Sequence, residues 1–228
     1  MNEAITVLPN GQWVITHDTH LSKWAIQHGS IITDPNLFRF LKPFMDNVTV
    51  VWDIGANIGD HTRQYLDWGK TVVAVEPNPL AFECLVHNCP EAHTLNVAAS
   101  NTWGEIKFAR LDNVGASRIN SEGDISVATA VLDELSVAVP QLIKIDVEGW
   151  EFWALKGMEE TIFAHRPMIF CEINEGALLS NMVTPNDLIK WIKNHLGDHD
   201  QHFYPPNAKL GDPQFDILFV PKWPPRVR

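Results

Sequence analysis

The sequence predicts an α/β protein: a doubly wound, mostly parallel sheet of seven strands, with an antiparallel last strand and a small N-terminal extension. Three observations carry this. From residue 48 onward, short apolar and β-branched runs alternate with stretches of helical periodicity, the pattern of parallel strands joined by crossover helices. The run Val50-Val51-Trp52 ends in Asp53 and passes into a turn with Gly55, Asn57 and Gly59 at every second position, residue types that accept left-handed backbone. Near the end, His202-Phe203-Tyr204 and Phe215 to Val220 read as strands separated by a Pro/Gly/Asn loop without a helix. That is a hairpin, so its last strand runs against its neighbours.

Residues 1–47 stand apart from the regular pattern. Ile5 to Leu8 and Trp13 to Thr16 flank Pro9-Asn10-Gly11 and read as a small hairpin. His20 to Gln27 form a short helix stopped by Gly29, and Asp34-Pro35 caps and starts another with an apolar face of Leu37, Phe38, Leu41 and Phe44. This extension precedes the first central strand, so it reads as a packing layer, a lid or a homodimer contact. The main α/β unit is then 48–228.

Within it, strands are expected at 48–54, 71–75, 93–98, 142–145 and 168–171. Helices follow the first strand as far as Gly69, start at Asn78-Pro79 with Ala81, Phe82, Leu85 and Val86 in helical spacing, run from Trp150 to about His165, and open at Thr184-Pro185 before stopping at Gly197. Between the third and fourth strands lies a β insert at about 101–140, whose Gly/Ser/Asn-rich stretch Asn113 to Asp124 reads as a polar loop able to reach the ligand edge.

Composition narrows the function. The net charge is −11, from 28 acids against 17 bases, with no basic run; nucleic acid and anionic membranes are therefore not expected partners. Cys84, Cys89 and Cys171 show no CxxC spacing and read as reduced thiols of a cytoplasmic protein. No signal peptide is expected from MNEAITVLPNGQW, and no apolar run approaches the roughly 18 residues of a membrane span.

Ligands of such sheets bind beyond the carboxyl ends of the strands. The residues expected there are Asp53, Glu76, Ala98 to Ser100, Asp146, Glu148, Glu172 and Asn174. Glu76 lies 21 positions after Gly55, where a Rossmann-like fold places an acid on a ribose diol. Acids crowded at successive strand ends need something cationic or hydrogen-bonding between them. A sulfonium cofactor, a ribose, a divalent metal or a basic substrate would serve.

Three motifs, DIGANIGDHT at 53–62, VEPNP at 75–79 and LIKIDVEGWE at 142–151, together resemble the FkbM family of S-adenosylmethionine-dependent methyltransferases. The alternating α/β pattern and terminal hairpin are similar to the class I methyltransferase fold. The resemblance implies S-adenosyl-L-methionine as cofactor and methyl transfer, mostly to oxygen, on a sugar, glycan or small natural product. On this reading Asp53, Gly55, Asn57 and Gly59 surround the methionine part of the cofactor, with His61 and Thr62 near its carboxylate. Glu76 accepts hydrogen bonds from the ribose hydroxyls. Pro77, Asn78, Ala98 and Ala99 flank the adenine by position, and Asp146 borders both cofactor and acceptor.

An alcohol acceptor must lose a proton, which calls for a general base. Glu148 and Asp146, with Glu172 beside them, are the candidates; a helix-capping role at Trp150 is the competing reading of Glu148. A metal variant places Mg²⁺ or Ca²⁺ on Asp146, Glu172 and Asn174. His195, His199 and His202 are spaced for a helical metal site, but Gly197 interrupts them. Ser117 and Arg118 are candidate acceptor contacts, and Trp103, Trp150 and Trp153 offer flat faces to a sugar ring. A nicotinamide-dependent oxidoreductase and a non-catalytic nucleoside- or glycan-binding module are the alternative functions; against the first, Gly55-Ala56-Asn57-Ile58-Gly59 lacks G-x-G-x-x-G.

Overall fold

The structure, a computed structural model, describes residues 4–222. The chain opens with the antiparallel ribbon β1 (Ile5–Val7) and β2 (Trp13–Ile15), then α1 (Leu21–His28) and α2 (Pro35–Leu41). Asp34 caps α2 through its side chain, accepting from the Asn36 and Leu37 amides, and Gly29 ends α1 in the left-handed conformation.

The alternating part then runs β3 (Val50–Ile54), α3 (Asp60–Asp67), β4 (Thr71–Val75), α4 (Pro79–Asn88) and β5 (His93–Leu95). The insert contributes β6 (Ala98–Ala99), β7 (Gly104–Ala109), β8 (Arg118–Ile119) and β9 (Ile125–Ala130). The chain returns with β10 (Leu142–Ile145), α5 (Glu151–Lys156), α6 (Glu159–His165), β11 (Met168–Asn174), α7 (Glu175–Ser180), α8 (Pro185–Leu196) and the hairpin β12 (His199–Tyr204) and β13 (Gln214–Pro221).

Seven strands form the main sheet in the order β12-β13-β11-β10-β3-β4-β5. β11, β10, β3, β4 and β5 are parallel, and β13 pairs antiparallel with β11. Strand alternation sends side chains to two apolar layers. On one face Val51, Val72 and Ala74 pack with Leu37 and Leu41 of α2, Tyr65 of α3 and Leu85 of α4. On the other, Trp52, Val73, Ile143 and Ile145 pack with Ala154, Ile162, Leu188 and Ile192. The chain order reverses between β3 and β10, which places the ligand crevice at their carboxyl ends.

The structure departs from the sequence reading at four places. The third strand stops at Leu95; Ala98 and Ala99 leave the main sheet and pair with Thr129 and Ala130 in a separate four-stranded sheet, β6-β9-β7-β8. The helix expected from Trp150 to His165 is broken into α5 and α6 at Gly157, where a Cβ would stand 2.0 Å from the Ser100 carbonyl oxygen. The close passage of that backbone leaves no room for a continuous side-chain-bearing helix. β11 continues to Asn174 because β13 pairs with it residue for residue to the end, Glu172 opposite Asp216. Glu172 is therefore inside the strand rather than beyond it. Lastly, α7 stands where the sequence reading placed no element, capped by the Asn174 side chain.

The N-terminal segment packs on the α4 side: Leu8, Val14, Ile15, Ala25 and Ile31 share an apolar cluster with Ile58, Ala81, Cys84 and Val114. Asn88 fastens it, accepting from the Trp13 amide and donating to the Trp13 carbonyl. Cys84, Cys89 and Cys171 are free and buried. No helix among the described residues is long and apolar enough to cross a membrane.

Candidate active site

A cavity of about 420 Å³ opens at the carboxyl ends of β3, β4 and β10. Its floor is built by the turn after β3. The last strand residue, Ile54, leads into Gly55 at φ +81°, Asn57 at φ 49° and Gly59 at φ 96°. Gly55 is required by a backbone approach: a Cβ there would lie 1.8 Å from the Asp146 carbonyl oxygen. Gly59 is required by packing against α4, where a Cβ would stand 2.8 Å from Cys89 Sγ. The spaced glycines thus let the turn press against β10 and α4.

Glu76, buried at the end of β4, holds the same turn. Its Oε2 accepts from the Asn57 amide at 2.9 Å and its Oε1 from the Asn78 amide at 2.7 Å. Burial pushes the Glu76 carboxyl up to about 7, against the lowering effect of those two bonds. Each oxygen keeps a lone pair, and the residue lines the cavity. Asn57 lines it too, and its buried Oδ1 has no hydrogen-bond partner among the described residues.

Behind the turn lies a buried ion pair that sequence reasoning missed. Lys144, in the middle of β10, places Nζ 3.4 Å from Asp53 Oδ1 and 3.8 Å from Asp146 Oδ2, and donates to the Gly55 carbonyl at 2.9 Å. Asp53 is fully buried, and its other oxygen accepts from Thr62 Oγ1 at 2.6 Å. Burial works against the Lys144 charge, but the Asp53, Asp146 and Asp60 carboxylates outweigh it and hold the ammonium above its ordinary range. The signal was legible: in Leu-Ile-Lys-Ile a single charge interrupts a buried strand, and such a charge must be paired.

The acidic side of the cavity follows β10. Asp146, Glu148 and Glu172 bring carboxylate oxygens within 4.8 Å of one another. Glu148 sits at φ 55° between Val147 and Gly149. It does not cap the next helix. α5 has no side-chain cap; its first residue, Glu151, instead braces the preceding turn, accepting from the Val147 and Gly149 amides at 3.0 Å each. Burial, with Asp146 and Glu151 adding, pushes the Glu148 carboxyl up to about 8, while Arg118 and Lys144 pull it down. Burial, then Asp146 and Glu148, raises Glu172 to about 10; its Oε1 accepts from Gln214 Nε2 at 2.8 Å, and its Oε2 is buried without a partner among the described residues. Asp216 is raised to about 7 by burial and by Asp146.

Of the predicted site residues, the cavity is lined by Gly55, Asn57, His61, Glu76, Pro77, Ala98, Ala99, Asp146, Glu148 and Glu172. Asp53 and Thr62 lie behind it as the partners just described, and Gly59 packs on α4. Asn78 caps α4 by accepting from the Leu80 amide. Asn174 caps α7 by accepting from the Ala177 amide and does not join the carboxylates. Sequence reasoning did not find His20 and Leu21, which the N-terminal segment extends to the rim, nor Gln214. The insert covers the cavity with Val114 to Ser117, and Val114 is tied to the N-terminal segment by its amide donating to Asp18 Oδ1 at 3.1 Å. His195 and His199 do not share a site: His195 bonds Glu159 and the Trp191 carbonyl, whereas His199 turns to the Gly197 carbonyl.

A parallel sheet with an antiparallel β13 and this turn-plus-acid cavity is the architecture of class I methyltransferases. Residues 53–198 match the methyltransferase FkbM domain. A hexuronic acid methyltransferase of Haloferax volcanii is 30% identical over 169 residues, 70% of this chain and 67% of that protein. Among solved structures, FkbM methyltransferase from Methylobacillus flagellatus superposes with a TM-score of 0.54 at 19% identity over 77% of this chain; the match spans 44% of that longer protein. A TehB-like S-adenosylmethionine-dependent methyltransferase from Corynebacterium glutamicum superposes at 0.54 and 12% identity, covering 88% and 95% of the two chains. The chain belongs to the FkbM family of S-adenosylmethionine-dependent methyltransferases. This sets aside the oxidoreductase reading.

Proposed function

We propose that the protein methylates a hydroxyl group of a sugar acceptor, with Glu148 as general base. The observation that carries this is the placement of Glu148: a carboxylate on strained backbone, at the cavity edge and beside two further acids, with its titration moved close to neutrality. A base works best when its pKa lies near the operating pH. The sugar class is supported by the hexuronic acid methyltransferase similar to this chain.

The cavity suits the family cofactor by its donor set. The Glu76 carboxylate can accept from a diol, the orphaned Asn57 Oδ1 awaits a donor, and Ala98, Ala99, Pro77 and Phe108 give an apolar wall for a flat base. When bound, S-adenosylmethionine supplies an activated methyl group on a sulfonium, a good leaving group. The protein's own work is positioning and proton removal. Glu148 takes the hydroxyl proton, and Asp146 orients the acceptor. His61 and the amides at the start of α3 are available to a carboxylate. Val114 to Ser117 wall the cavity on the side of the insert. The domain division also remains our reading: residues 1–47 complete the rim through His20 and Leu21, and 48–228 carry the chemistry.

Incubation with methyl-labelled cofactor and a panel of uronic acids and their glycosides, followed by mass spectrometry, tests this. A gain of one methyl on an oxygen, lost in Glu148→Gln, is expected. Methylation at nitrogen, or full activity of Glu148→Gln, would overturn the assignment.

A further inference from the structure

We propose that a shallow groove walled by Trp103, Trp150 and Trp153 is a second carbohydrate subsite, seating a neutral sugar unit next to the one that is methylated. This rests on the sugar-acceptor reading above. The groove measures about 280 Å³, the scale of a single pyranose ring, and lies between the insert and α5. Trp103 comes from the turn before β7 and is 52% exposed. Its indole N–H donates to Glu134 Oε2 at 2.6 Å, so one edge of the ring is fixed while half its surface meets water. Trp150 and Trp153 lie 6.0 Å apart between centroids, tilted by 38°.

An exposed indole is apolar area left in water, and the C–H face of a sugar ring covers such area while leaving its hydroxyls free. Polar groups for those hydroxyls stand alongside. Asn101 and Glu105 line the groove, and neither side chain makes a hydrogen bond within the described residues. No lysine or arginine lines it, whereas Glu105 does and Glu134 holds Trp103. A uronate would be repelled, so the unit is neutral. Continuity with the reaction centre comes from Trp150, which borders both the groove and the cavity and stands two residues after Glu148. An acceptor longer than one sugar can therefore place its target hydroxyl at Glu148 and the neighbouring ring on the tryptophans. A flat protein partner would not need a concave, polar-lined cleft of this size.

The test uses the full chain saturated with S-adenosylhomocysteine. Methyl glycosides and neutral di- to tetrasaccharides of glucose, galactose and mannose are titrated in while indole N–H signals are followed by NMR. The Trp103 signal is assigned by its loss in Trp103→Phe. A saturable shift of that signal is expected, growing from mono- to disaccharide. In Trp103→Ala and Trp153→Ala the sugar affinity should fall about fivefold or more, with S-adenosylhomocysteine affinity unchanged. The subsite is overturned if no neutral sugar moves the Trp103 signal, or if both variants bind as the parent does. Sugar binding without methylation of any sugar would instead strike the acceptor reading and leave the groove assigned.

Discussion

Lys144 Nζ stands 3.4 Å from Asp53 Oδ1 and donates to the Gly55 carbonyl at 2.9 Å, so one buried cation ties β10 to both β3 and the turn that follows it. Removing the cation strands a fully buried carboxylate. Lys144→Met is expected to destabilise the fold by about 3–5 kcal/mol, the cost of breaking a buried pair from one side. Adding Asp53→Asn should restore part of that loss, since the uncompensated charge is then gone. Urea unfolding of the two single variants and the double variant checks this; a strictly additive double variant would deny the pair.

Gly55 and Gly69 separate conformational strain from steric conflict. Both have positive φ, +81° and +73°, but only Gly55 faces backbone, the Asp146 carbonyl at 1.8 Å from an added Cβ; at Gly69 an added Cβ would have nothing within 4 Å. Gly69→Ala should cost about 1–2 kcal/mol, the left-handed penalty alone. Gly55→Ala should cost distinctly more, because β10 must move, and should weaken S-adenosylhomocysteine binding as well. Equal unfolding midpoints for the two variants would contradict the role given to Gly55.

Glu76 joins two tasks, holding the Asn57 and Asn78 amides and lining the cavity. Glu76→Ala is expected to weaken S-adenosylhomocysteine binding by about 1.5–3 kcal/mol, the range of a charged hydrogen bond. Glu76→Gln keeps one acceptor oxygen and should lose less. Calorimetric titration reads both, and an unchanged affinity in Glu76→Ala would remove Glu76 from the binding site.

These residues also show what the sequence could and could not disclose. The alternation of strands and helices, the antiparallel end and the turn-to-acid spacing from Gly55 to Glu76 are local patterns, and the sheet follows them. The ends of elements are decided by distant partners. Ala98 and Ala99 leave the main sheet because β9 offers them a ladder, and α5 breaks from α6 because Ser100 passes beside Gly157. The same holds for roles. Asn174 looks like a ligand at a strand end, but the Ala177 amide takes its side chain. Glu148 looks like a cap, but no side chain caps α5, and Glu151 takes the Val147 and Gly149 amides of the turn before it. A short polar side chain near a helix start serves whichever partner the fold brings closest.

Glu148 gives the prediction with two independent readouts. Burial, reinforced by Asp146 and Glu151, raises its carboxyl from 4.5 to about 8. The unfolded chain ionises this group near its ordinary value, whereas the folded chain resists doing so. Between pH 4.5 and about 8 the folded state therefore binds more protons, and stability from this group falls as pH rises. Glu148→Gln should be more stable than the parent at about pH 9, on the order of 1–3 kcal/mol, with no such advantage at about pH 4. Activity moves the opposite way with pH, because a base must be ionised to accept a proton. In the parent, kcat/KM should climb through about pH 8, and Glu148→Gln should lose roughly 10²–10⁴-fold and the limb with it. Thermal melts across pH and a pH–rate profile in excess chelator read the two effects. Activity that vanished with chelator and returned with Mg²⁺ would transfer the role from the base to a cation held by the Asp146, Glu148 and Glu172 carboxylates.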